Sequence, residues 1–60
     1  MDIKAARLKA GMNQETLAKA AGVSRVSIAR YESGERVPDV VTAAKIARAL
    51  GCKVDDLIDK

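Results

Sequence analysis

The apolar residues of this chain come in short bursts, each followed by a glycine. Ile3 and Leu8 form the first burst, Leu17, Ala18 and Ala21 the second, Ile28 and Tyr31 the third, and Val40, Ala43, Ile46, Ala47 and Leu50 the fourth. Their separations, mostly of three or four residues, put each set on one side of an α-helix. Gly11, Gly22, Gly34 and Gly51 stand where a left-handed residue would end each helix. Met12, Val23, Val37, Cys52, Val54, Leu57 and Ile58 fall between and after the bursts and are expected to close the core.

The starts are marked as clearly as the ends. Asp2, Asn13, Ser24 and Asp39 can each accept a hydrogen bond from the N–H groups that a first helical turn leaves unsatisfied. Pro38 ends the loop before the fourth helix. The fifth start has Lys53 in place of a capping side chain, although Asp55 and Asp56 suit the positive end of a helix dipole. The pattern predicts helices over about 2–10, 14–21, 25–33, 40–50 and 54–59.

Composition narrows the fold. With 60 residues the chain is expected to form one domain, residues 1–60, because a core this small cannot be divided. There is no Phe or Trp, and Tyr31 is the single aromatic residue, so the core is aliphatic and rich in alanine, which favours closely packed helices. The expectation is an all-α, compact five-helix domain. Cys52 is the one cysteine and reads as a small buried hydrophobe. With no His and no second Cys, there is neither a metal cluster nor a Cys/His nucleophile. Asp55, Asp56 and Asp59 are accounted for by the helix dipole. No enzyme, catalytic residue, metal, cofactor or small-molecule ligand is therefore expected. The absence of a secretory leader or long apolar run points to the cytoplasm and away from the membrane.

Charge directs attention to one half of the chain. The net charge is +3. Residues 1–36 carry Lys4, Arg7, Lys9, Lys19, Arg25, Arg30 and Arg36 against Asp2, Glu15, Glu32 and Glu35, while cations and acids balance in residues 37–60. An anionic partner is expected to meet the first 36 residues.

The third predicted helix, SRVSIARYESG from Ser24 to Gly34, departs from an ordinary solvated helix. Advancing about 100° per residue from Arg25 puts Ala29 near 40°, Ser33 near 80°, Val26 near 100° and Arg30 near 140°. Ser27, Tyr31, Ile28 and Glu32 occupy the other side, from about 200° to 340°, so Ile28 and Tyr31 turn to the core. The outward face presents two arginines separated by small side chains, with no acid expected at pairing distance on that face. Such a surface fits the major groove of DNA, where guanine offers acceptors to arginine. The preceding LAKAAGVSRVSI supplies a short helix, the turn Gly22-Val23-Ser24 and a second helix anchored by Ile28. This is the spacing of a helix-turn-helix over about 14–33.

The stretches RLKAGMNQETLAKAAGVSRVSIARYESGERVPD and AKIARALGCKVDDLI resemble the Cro/cI-type helix-turn-helix repressors, also called the XRE family, over essentially the whole chain. The resemblance implies a lambda-repressor-like domain that regulates transcription, as a repressor bound to a palindromic operator. It places Arg25, Val26 and Arg30 at base-reading positions, with Ala29 on the same face. It directs Gln14 and Ser24 at phosphates and puts Ser33, Gly34 and Arg36 in a loop that grips the DNA backbone. Arg7 and Glu32 match a pair that ties the first helix to the third, and Arg7 and Lys9 are further cationic candidates for phosphate. Val26 stands where a polar reader is common, which points to contact with a thymine methyl. Ala43 and Ala44 replace larger aliphatic residues, and Lys53 replaces a small cap at the edge of the family's dimer surface. One module reads few base pairs, so a homodimer is expected, in solution or only on DNA, through Val54, Leu57 and Val41. A reading of another class remains open, in which an antitoxin-like or other protein-interaction module uses the same fold.

Overall fold

The structure is a computed structural model that describes residues 1–57. Each of its four α-helices begins at a capping side chain. Asp2 Oδ1 accepts from the Ala5 N–H at 3.1 Å, Asn13 Oδ1 from Thr16 at 2.7 Å, Ser24 Oγ from Ser27 at 3.1 Å and Asp39 Oδ1 from Thr42 at 2.7 Å. They open α1 (Ile3–Lys9), α2 (Gln14–Ala21), α3 (Arg25–Ser33) and α4 (Val40–Leu50). The fifth element differs from the expected α-helix, being a 3-10 turn, Val54–Leu57. Its cap comes from within, since Asp56 Oδ2 accepts from the Lys53 N–H at 3.0 Å. Ile58 and Asp59, assigned to that helix on sequence grounds, lie outside the described residues. Among the described residues there is no strand, and no helix is long and apolar enough to cross a membrane.

The core forms around α2, which packs on both α3 and α4. Ile3, Leu17, Ile28, Ile46 and Leu57 are all at most 1% exposed. Ala18 and Ala21 of α2 and Ala43 and Ala47 of α4 are buried beside them, and these small side chains allow the helices to approach closely. Met12, Val23, Tyr31, Leu50, Cys52 and Val54 pack around this centre. Burial pushes the Cys52 thiol up from its ordinary value, with Asp56 adding to the effect.

Three residues expected in the core are on the surface. Leu8 is 59% exposed because Arg7 takes the inward position one turn after Ile3. Val40 extends the row of Ala43 and Ile46, but from the first turn of α4 it projects past the packed elements and is 85% exposed. Val37 is exposed as well, and the residue that closes this edge is its neighbour Pro38, which is buried.

Candidate nucleic-acid interface

The helix-turn-helix is built by α2, the turn at Gly22 and α3. Gly22 caps α2 with φ +71°, and its N–H donates to the carbonyls of Ala18 and Lys19. Ser24 then restarts the helix, and its hydroxyl is occupied locally: it accepts from the Ser27 N–H and donates to Ser27 Oγ at 2.9 Å. Arg25 thereby becomes the first residue of α3, with its side chain at the open end of the motif. Ile28 anchors the opposite side of α3 in the core. Arg25, Val26, Arg30 and Ser33 are exposed and Ala29 is half-buried, so the face expected to read bases is outward. Val26, an apolar side chain, is 52% exposed there.

Behind that face runs a chain of polar contacts. Arg7 Nε donates to Glu32 Oε2 at 2.7 Å and Arg7 Nη2 to Glu32 Oε1 at 3.1 Å, while Nη1 donates to the Met12 carbonyl at 2.9 Å. Glu32 Oε1 also accepts from Gln14 Nε2 at 3.2 Å, and Gln14 Oε1 accepts from Arg25 Nη1 at 3.3 Å. Side-chain exposure is 9% for Arg7 and 5% for Glu32, so the pair is largely removed from water. The hydrogen bonds that Arg7 donates to Glu32, opposed by burial, raise the Arg7 guanidinium above its ordinary range. Burial pushes the Glu32 carboxyl up, but the hydrogen bonds from Arg7 and Gln14 and the nearby Arg7 and Lys4 charges outweigh it and hold the carboxyl below its ordinary value.

These contacts revise several assignments. Arg7 bonds inside the protein through all three of its side-chain nitrogens, so its geometry supports the ion pair with Glu32 and not a phosphate contact. The Gln14 side chain is engaged at both ends, which leaves its backbone N–H, one of the unpaired donors of the first turn of α2, as the group it can offer a phosphate. Arg30 was expected to lack an acid and has one, with Nε 3.7 Å from Glu35 Oε2. Sequence spacing hid this pair because Gly34, at φ +81°, folds the chain back over the end of α3. A left-handed glycine just after Ser33 was the available signal.

The remaining candidates are more scattered. The Arg36 N–H donates to the Arg30 carbonyl at 3.3 Å, and Ser33 Oγ donates to the same carbonyl at 3.1 Å, so the Ser33–Arg36 loop is tied to the end of α3 with the Arg36 side chain exposed. Lys9 is exposed at the end of α1. Of the residues expected on a dimer surface, Val41 is exposed and Val54 half-buried. Leu57 is corrected to a core residue, since it is only 1% exposed and has no side-chain surface to give a partner.

Residues 3–57 match the sequence profile of the family described as helix-turn-helix. The chain belongs to the helix-turn-helix family. One helix-turn-helix relative, the HTH-type transcriptional regulator YgzD of Bacillus subtilis, is 36% identical over 55 residues, covering 92% of this chain and 83% of that protein. The restriction-modification controller protein C.AhdI of Aeromonas hydrophila has a similar structure, with a TM-score of 0.90, 32% identity, and coverage of 93% of this chain and 85% of that one. The P22 c2 repressor, solved in complex with a synthetic operator, gives a TM-score of 0.87 at 35% identity, with coverage of 95% and 86%. The all-helical helix-turn-helix architecture is thus shared with phage repressor domains.

Proposed function

We propose that this protein is a sequence-specific regulator of transcription that binds double-stranded DNA by laying α3 in the major groove. The observation that carries the reading is the outward face of α3, where Arg25, Val26 and Arg30 are exposed on a helix whose other side is fixed in the core by Ile28. The likeness to the P22 c2 repressor in complex with a synthetic operator supports it. Arg25 is the principal base reader, offering its guanidinium to guanine, and Val26 offers methyl contact to thymine. The backbone N–H of Gln14, Ser24, the Ser33–Gly34 turn and the Lys9 and Arg36 side chains position the protein on phosphates. On this reading the protein acts as a repressor by occupying promoter DNA and has no catalytic activity of its own.

A single domain reads too few base pairs for useful selectivity, so the proposal includes a homodimer on a palindromic operator. Val41, with Val37 and Val40 exposed close to it in the chain, and Val54 supply its apolar surface. So small a surface associates chiefly when DNA holds two copies side by side, with half-sites about one helical turn apart.

The deciding experiment is selection of bound sequences from random duplex DNA by the purified chain. A palindrome of two half-sites is the expected product. No enrichment, or a single half-site saturated by one chain per duplex, would refute the regulator or the dimer respectively.

A further inference from the structure

One acid stands in the middle of the loop assigned to phosphate. Glu35 lies between Ser33 and Arg36, and its Oε2 is 3.7 Å from Arg30 Nε. The backbone sets this placement: Gly34 turns the chain at φ +81°, and the Arg30 carbonyl accepts from the Glu35 N–H at 3.0 Å, the Arg36 N–H at 3.3 Å and the Ser33 hydroxyl at 3.1 Å. Glu35 is therefore tied back over the last turn of α3 whether or not its carboxylate touches Arg30. Arg25, on the same face, meets the neutral Gln14 instead. Of the two arginines on the reading face, one carries an acid beside it.

Resting on the DNA-binding reading above, we propose that Glu35 is a specificity-determining residue, whose carboxylate competes with DNA phosphate for Arg30. An exposed ion pair is weak in water, so it does not lock Arg30 in place. Its effect falls unequally on the two anchors Arg30 could choose. A phosphate is an anion present at every sequence, and Glu35 both repels it and offers Arg30 an equivalent partner. The edge of guanine is an uncharged pair of acceptors, which Glu35 repels far less and which holds a guanidinium in two bonds at once. The acid thus penalises non-specific binding more than operator binding, which is discrimination achieved by weakening the wrong complex.

The test compares the full chain with Glu35→Gln, Arg30→Ala and the double variant, each titrated against the selected operator and a random duplex of equal length over a series of salt concentrations. Glu35→Gln should tighten the random duplex about fivefold, the upper end for an exposed charge pair, and the operator at most about half as much. Its log–log salt slope on the random duplex should steepen by about one, as expected for one added phosphate contact. In the Arg30→Ala background the same change should leave the ratio of the two affinities as it was. The proposal is overturned if Glu35→Gln tightens both duplexes equally, leaves both unchanged, loosens the operator, or shifts the ratio as much without Arg30. A wild-type chain that binds neither duplex refutes the DNA-binding reading itself, and that arm is read before any variant is made.

Discussion

Glu32 holds Arg7 with both of its carboxylate oxygens, at 2.7 and 3.1 Å, and joins α1 to α3 in doing so. A domain of 60 residues has a total stability of about 3–9 kcal/mol. Arg7→Ala leaves a carboxylate that is only 5% exposed without its cation and is expected to remove about 3 kcal/mol. Replacing both partners, Arg7→Met with Glu32→Leu, should recover much of that loss, because no charge is then left buried. Urea denaturation of the wild type, Arg7→Ala, the single changes Arg7→Met and Glu32→Leu, and the double variant checks this. A double variant as unstable as the sum of its single changes would show that the pair acts through packing alone.

Acid should weaken the fold through the same carboxylate. Glu32 is held below its ordinary value of 4.5, whereas in the unfolded chain it lacks these partners and takes a proton at higher pH. The stability it contributes is complete above about pH 4.5 and falls away as the pH drops through the lowered folded value. Glu32→Gln should therefore unfold with a flatter dependence on pH in that acid range. A melting curve of the variant that parallels the wild type down to the acid limit contradicts the assignment.

Ile46 and Leu8 have opposite environments despite similar hydrophobicity. Ile46 is completely buried and Leu8 is 59% exposed. Ile46→Ala should cost about 2–5 kcal/mol, a large share of the domain's stability, while Leu8→Ala should change stability by less than about 0.5 kcal/mol. Thermal denaturation distinguishes them directly.

Gly22 joins the two helices of the motif at φ +71°, and a Cβ added there would meet no atom within 4 Å. Any penalty at this position is therefore conformational and not steric. Gly22→Ala should cost about 1 kcal/mol, and Gly22→Asn less, because asparagine tolerates the left-handed region. Equal losses for both variants in denaturant would point to a crowded site.

Arg25 is the sharpest probe of DNA reading. Arg25→Ala should relax preference at one position of the half-site by about 1–3 kcal/mol. Arg25→Lys should not restore it, since lysine keeps the charge and lacks the planar fork. A half-site library at fixed salt is the measurement. Uniform loss across all sequences for both variants would make Arg25 a phosphate anchor and leave readout to Val26, Ala29 and DNA shape.

Caps and glycines are local signals, and the positions of all four helices were legible in them: Asp2, Asn13, Ser24 and Asp39 each accept the bond their residue type suggests. The core was legible where helix faces meet, as at Leu17, Ile28 and Ile46. It failed at Leu8, where an arginine occupies the inward position, and at Val37 and Val40, where the helical row runs beyond its neighbours. Glu35 beside Arg30 and Gln14 between Glu32 and Arg25 were not legible. These contacts depend on how chain segments return toward each other, which no count of residue spacing contains. The 3-10 geometry at Val54–Leu57 likewise follows from its docking on the core, since four residues are too few for periodicity to choose a helix type.

The Asp2 N–H donates to the Leu57 carbonyl at 2.9 Å, so two residues almost as far apart in the chain as the described fold allows are immediate neighbours in space. The domain is in effect a closed ring with a gap one hydrogen bond wide. A chain reopened at another loop, with its present ends bridged by a short linker, is therefore expected to keep the packing of α1 to α4, the order of the helices belonging to the encoding of the chain more than to the solid it forms.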